Sequence, residues 1–214
     1  MNRILRLLSI ATLSLVSVAY AETLSSNLDA KVFFTEPVGG DTWIAAGFAT
    51  GPMNYTLNSA TLLVRQDAPG PVALDLFSDS NGRPGISVGS LGTPGSFSST
   101  LTPTGFSGSN LPLLANTTYW LVLQSSGGEY QWAYTDRNTG SGIGFVGTWG
   151  ASDDAGATWL ASDIDPMMMA VDAVPGNAAV PEPGALLLFC GGSSALAVFV
   201  GLKRRYTREA TVEH

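Results

Sequence analysis

Val72-Ala73-Leu74-Asp75-Leu76-Phe77 alternates at its centre and then breaks at once into Ser78-Asp79-Ser80-Asn81-Gly82. A period of two puts Leu74 and Leu76 on one face of an extended segment and Asp75 on the other, as in a half-buried β-strand. Tyr119-Trp120-Leu121-Val122-Leu123 is a solid apolar run of strand length, which suits a strand buried on both faces. Similar runs rich in β-branched and aromatic residues recur at 30–34, 42–48, 55–65, 71–77, 96–101, 118–124, 131–135, 144–149 and 167–174. Gly, Pro, Asn, Asp and Ser separate them, and none carries a 3.6-residue apolar stripe with capping residues. Many short strands at this spacing predict an all-β fold, a single jelly-roll-like β-sandwich occupying residues 22–174.

The two ends of the chain differ from this middle. Arg3 and Arg6 precede an apolar run over 10–19 that closes on Ala19-Tyr20-Ala21. A basic start, an apolar core and an A-x-A site describe a secretory signal peptide over 1–21, cut between Ala21 and Glu22. The Sec translocon and signal peptidase are the partners this implies. At the other end, Pro175-Gly176-Asn177-Ala178-Ala179 opens a breaker-rich linker over 175–180. Val180, Pro181, Glu182 and Pro183 follow, and then nineteen uncharged residues, 184–202. At about 1.5 Å per residue, a helix of that length covers the ~30 Å hydrocarbon core of a bilayer. Lys203, Arg204 and Arg205 come next, so the positive-inside tendency keeps the tail, 207–214, cytoplasmic and sends the domain outside. Gly191, Gly192, Ser193 and Ser194 weaken the helix at its centre.

The Pro-Glu-Pro, apolar helix and basic cluster over 181–206 together resemble the PEP-CTERM sorting signal of Gram-negative bacteria. The resemblance implies a transient membrane helix and processing near Glu182 by an exosortase, a membrane-embedded cysteine protease-transpeptidase. It also implies a setting in biofilm- or floc-forming bacteria that make exopolysaccharide. Prolines on both sides of Glu182 stop helix continuation and keep the segment extended, as cleavage requires. A permanent single-pass anchor on a sugar-binding protein is the alternative, and it leaves the Pro-Glu-Pro unexplained.

Between the two expected cuts stand fourteen acidic residues and four basic ones (Lys31, Arg65, Arg83 and Arg137), a net charge of −10. Nucleic acid and anionic lipid need clustered Lys and Arg, so neither is an expected ligand of this surface. The one cysteine, Cys190, lies in the apolar stretch, and the one histidine, His214, is in the tail. The domain therefore has no disulfide, no Ser-His-Asp or Cys-His catalytic group and no histidine metal ligand of its own.

A second resemblance spans residues 28–174. Thr42-Trp43-Ile44-Ala45-Ala46-Gly47-Phe48 followed by Tyr55-Thr56-Leu57-Asn58-Ser59-Ala60-Thr61-Leu62 is similar to the opening of the choice-anchor R domain. Leu74-Asp75-Leu76-Phe77-Ser78-Asp79-Ser80-Asn81-Gly82-Arg83-Pro84-Gly85 resembles its second block. Leu114-Ala115-Asn116-Thr117-Thr118-Tyr119-Trp120-Leu121-Val122-Leu123 resembles the third, and Trp132-Ala133-Tyr134-Thr135 follows in order. That family consists of surface proteins carrying one of several anchoring signals, so the resemblance implies a setting and an architecture but no reaction and no ligand.

Three groups of residues bear on chemistry. Asp79 and Asn81 lie in a Gly-containing turn that could wrap a calcium ion, although the EF-hand spacing is absent and the same residues commonly close a turn on themselves. Asp153 and Asp154 could serve a carboxylate-based glycan-cleaving enzyme, but neighbours on a strand point in different directions and no matched pair is visible. Trp132, Tyr134, Trp149 and Trp159, with Trp120 and Tyr130, offer faces for carbohydrate contact. The Tyr130/Trp132/Tyr134 alternation favours packing them into the core instead. The expectation from the sequence is a non-catalytic structural or adhesive module at the cell surface or in the extracellular matrix, with exopolysaccharide as its partner.

Overall fold

A computed structural model describes residues 20–108 and 110–176. The signal-peptide residues before Tyr20, the linker beyond Gly176, the sorting motif at Val180, Pro181, Glu182 and Pro183, the 184–202 span, the basic cluster at Lys203, Arg204 and Arg205 and the tail 207–214 lie outside the described residues. Among the described residues no helix is long and apolar enough to cross a membrane.

The described residues form two antiparallel sheets. The spine of the first is the fourteen-residue strand β4 (Tyr55–Ala68). Along one edge it pairs with β13 (Met169–Pro175) and then with β10 (Glu129–Tyr134). Along the other it pairs with β8 (Pro112–Leu113) and then with β7 (Thr102–Ser107). The outer neighbours are β1 (Glu22–Ser26), on β13, and β2 (Phe34–Val38), on β10. The second sheet runs in the order β12 (Leu160–Ser162), β11 (Phe145–Ser152), β3 (Trp43–Ala49), β9 (Thr118–Ser125), β5 (Val72–Asp79) and β6 (Pro84–Ser90).

The main core gathers the inward faces of both sheets. Leu57, Leu62, Tyr130 and Trp132 come from the first, and Ile44, Phe48, Leu74, Leu76, Leu121 and Leu123 from the second. Leu74 and Leu76 are buried on one face while Asp75 faces out and accepts a hydrogen bond from Gln124, as the alternation requires. In β4 the buried positions shift from Tyr55 and Leu57 to Ala60, Leu62 and Val64. Asn58 is the extra residue: the register jumps there, from Leu57 opposite Ala173 to Ser59 opposite Asp172.

β9 is buried on both faces for a separate reason. Tyr119, Leu121 and Leu123 enter the main core, while Trp120 and Val122 form a second cluster with Ala45 and Trp159 on the outer face. The loop between β11 and β12 lies over that face and carries Trp159 onto it.

Two expected strands are displaced. The strand read at 30–34 instead forms over Phe34–Val38, because β2 is an outer strand and an edge accepts Pro37. The strand read at 96–101 is irregular, and the strand that follows it is β7. Phe97 nevertheless reaches the core, packing against Tyr130 with ring centroids 5.0 Å apart. β1, β6, β8 and β12 carry no strand signal, being short or rich in Ser, Gly and Pro. β13 continues through Pro175, the first residue read as linker.

Candidate functional site

The four aromatic residues considered for carbohydrate contact do not form one platform. Trp132 on β10 is 0% exposed, and its indole N–H donates to the Met168 carbonyl at 2.9 Å. It therefore has no face for a ligand. Trp159 is buried in the outer cluster of the second sheet. Trp149, half-buried on β11, donates its indole N–H to the Ile164 carbonyl at 2.7 Å. Only Tyr134 stands at the rim of the first sheet, edge-on to the exposed ring of Phe33 at 5.9 Å and 60°. Burial raises its phenol pKa, and the carboxylates of Glu36 and Asp165 add to the rise.

The Asp79–Asn81 turn closes on itself. One Asp79 oxygen accepts the Trp120 indole N–H at 2.8 Å, and the other accepts the Gly82 N–H at 3.2 Å. Ser80 N–H donates to the Arg83 carbonyl at 2.8 Å, and Asn81 and Gly82 take φ of 55° and 76°. Both carboxylate oxygens thus serve the hairpin and the outer cluster. Among the described residues no group of three or more His, Cys, Asp or Glu side chains converges as a metal site.

Asp153 and Asp154 also act locally. Asp154 accepts from Ser152 Oγ at 2.8 Å, from Thr158 N–H at 2.8 Å and from Thr158 Oγ1 at 2.7 Å. The Thr158 hydroxyl, followed by its N–H and the Ser152 hydroxyl, holds the carboxyl below its ordinary range. A glycosidase acid needs the opposite shift, towards a proton retained at neutral pH. Asp153 accepts from Thr42 Oγ1 at 3.3 Å. The pair pins a loop.

Among the described residues, two of the surface clefts are lined by cationic side chains. One, of about 520 Å³, lies where the β5–β6 hairpin meets the β11–β12 loop and is lined by Asn81, Arg83, Thr158 and Trp159. The other, of about 560 Å³, lies between the β1–β2 and β10–β11 connections. Lys31, Arg137, Asp29, Ser26, Thr139 and Ser141 line it. Its walls are held by reciprocal backbone hydrogen bonds between Ser26 and Ser141, at 2.9 and 2.7 Å, and by Phe33 N–H to the Tyr134 carbonyl at 2.9 Å. Lys31 and Arg137 were visible in the sequence only as two of four scarce cations. What joins them is pairing between distant segments. No family model matches the chain, and no curated protein matches it.

Proposed function

We propose that the chain is an exported bacterial surface or extracellular-matrix protein, delivered through Sec and processed at its C-terminus by an exosortase. Its jelly-roll-like sandwich, of choice-anchor R type, acts as a non-catalytic structural or adhesive module in contact with exopolysaccharide. The observation that carries the reading is the order Pro181-Glu182-Pro183, nineteen uncharged residues, then Lys203-Arg204-Arg205. The helix of 184–202 holds the precursor in the inner membrane with the domain in the periplasm. Removal of the helix sends the mature form to the cell surface or matrix.

Two features of the domain support this reading. Its strands begin at Glu22 and end at Pro175, so both expected cuts fall outside the strands. Its Asp79 and Asp154 side chains are engaged as turn and loop acceptors, the use a binding scaffold makes of them. Mass spectrometry of the mature protein from its host tests the sorting half. A C-terminus close to Pro181, Glu182 and Pro183 is expected, whereas persistence of residues beyond Ala185 would replace processing with a permanent anchor. Cosedimentation of the protein with the host's exopolysaccharide tests the adhesive half, and its absence would sink it.

A further inference from the structure

We infer that the cleft between the β1–β2 and β10–β11 connections binds carboxylated sugar units of an acidic polysaccharide. Lys31 and Arg137 take the carboxylate, and the Ser26, Thr139 and Ser141 hydroxyls take the ring hydroxyls. The choice of a polysaccharide rests on the matrix reading above; the charge of the ligand rests on the cleft itself.

The charge argument begins with scarcity. Fourteen acidic residues face four basic ones across the domain, so a cation placed without a purpose should find an acid nearby. Arg65 does, pairing with Asp67 at 2.9 Å. Lys31, Arg83 and Arg137 do not: among the described residues none of the three forms an ion pair, and what sets Lys31 and Arg137 apart is that both line one cleft. Two of the domain's four cations therefore line one cleft against a single acid, Asp29, so its lining carries a net positive charge. An anion entering it meets two positive groups set in a negative surface. That arrangement favours a local, well-placed carboxylate over a broad anionic membrane, which the net charge of −10 repels.

The cleft is also built rather than incidental. Its floor includes Asn27, which is buried and fixed at both ends of its carboxamide. Asn27 Nδ2 donates to the Met167 carbonyl at 3.0 Å, and its Oδ1 accepts the Met169 N–H at 2.8 Å. Arg137 N–H donates to Thr135 Oγ1 at 3.3 Å and the Arg137 carbonyl accepts Thr139 N–H at 2.8 Å, so the cationic wall is held by its own turn. Walls fixed in advance lower the ordering cost of binding. The volume, about 560 Å³, lies within the roughly 300–1,000 Å³ of small-ligand sites. Phe33, 58% exposed, stands two residues from Lys31, and Tyr134 three residues from Arg137. Their joined rings give the next sugar along the chain an apolar surface to lie on.

The test uses the full chain in detergent micelles, titrated at low salt with polygalacturonate, dextran and polyglutamate. Polygalacturonate should bind, with affinity falling as salt rises, and dextran should not. The Lys31→Ala/Arg137→Ala double variant should lose at least tenfold, whereas Arg83→Ala should bind as the parent does. The melting temperatures of the three proteins should coincide, since all three side chains are exposed. Equal binding of dextran, equal binding of polyglutamate or full retention by the double variant would each overturn the inference. Binding of the host exopolysaccharide without polygalacturonate would overturn it and leave the adhesive reading intact. Failure of both ligands would remove both.

Discussion

Asn27 closes more of the fold than its size suggests. Met167, Met168 and Met169 lead into β13, and side chains satisfy part of their backbone. Asn27 serves the Met167 carbonyl and the Met169 N–H, and the Trp132 indole serves the Met168 carbonyl. A buried polar group left without its partner costs about 1–3 kcal/mol. Asn27→Ala should therefore lower stability by about that amount, read as a reduced urea midpoint with an unchanged m-value. An unchanged midpoint would mean that water replaces the carboxamide. Tyr55 is the converse case. It is 2% exposed, and its hydroxyl has no hydrogen-bond partner among the described residues. Burial, with the Glu22 carboxylate adding to it, raises its pKa from 10.0 to about 12. The folded state thus holds this proton more tightly than the unfolded one. The contribution is complete below pH 10 and is lost as pH rises through about 12. Between those limits the urea midpoint should fall less steeply in Tyr55→Phe than in the parent, with no loss at neutral pH. Parallel curves for the two proteins would show that Tyr55 does not titrate with unfolding.

Among the elements, β9 shows what the chain declares locally and what it conceals. Its solid apolar run was legible as a strand buried on both faces, and it is one. What covers its second face was not legible, because Trp159 arrives from the distant β11–β12 loop and no local pattern ties the two. The bulge at Asn58 likewise hides the alternation of β4, and Pro37 hides β2 until its edge position is known. The cleft of Lys31 and Arg137 was invisible for the same reason: Ser26–Ser141 and Phe33–Tyr134 pairing is long-range. Trp132 was legible as core through its alternation with Tyr130. The β11–β12 loop yields a prediction of its own. Asp154 gathers the Ser152 and Thr158 donors, and Gly156, at φ 83°, turns the backbone over the Trp43 ring. Because the folded pKa of Asp154 is lowered, its contribution is present above about pH 4 and fades as pH falls through the folded value. Asp154→Ala should loosen the loop at neutral pH, raising iodide quenching of tryptophan fluorescence while the midpoint of global unfolding barely moves. Quenching equal to that of the parent would show that the apolar contact of Trp159 alone holds the loop down.

At the scale of the whole molecule, the sandwich is tied shut by its two ends. β1 and β13 pair with each other, from Glu22 opposite Ala173 to Ser26 opposite Ala170, and β13 also forms a long ladder with β4. The main core accordingly runs from Leu24 to Ala173 in sequence. The last tie is the Gly176 N–H, which donates to the Asn54 carbonyl at 2.7 Å. No cysteine lies within these limits, so closure depends on pairing and burial alone. A protein processed after Gly176 keeps every one of these interactions, whereas one cut before Met169 loses the strand between β1 and β4. A chain ending at Gly176 should melt within about 2 °C of the full chain, with or without reductant, because termini outside the packed core contribute little to stability. A chain ending at Pro166 should not fold, since β1 loses its partner and about half of β4 is bared along one edge. A fall of many degrees in the Gly176-ended chain would place part of the fold's stability beyond the sandwich. The domain could not then outlive the removal of the segment that follows it.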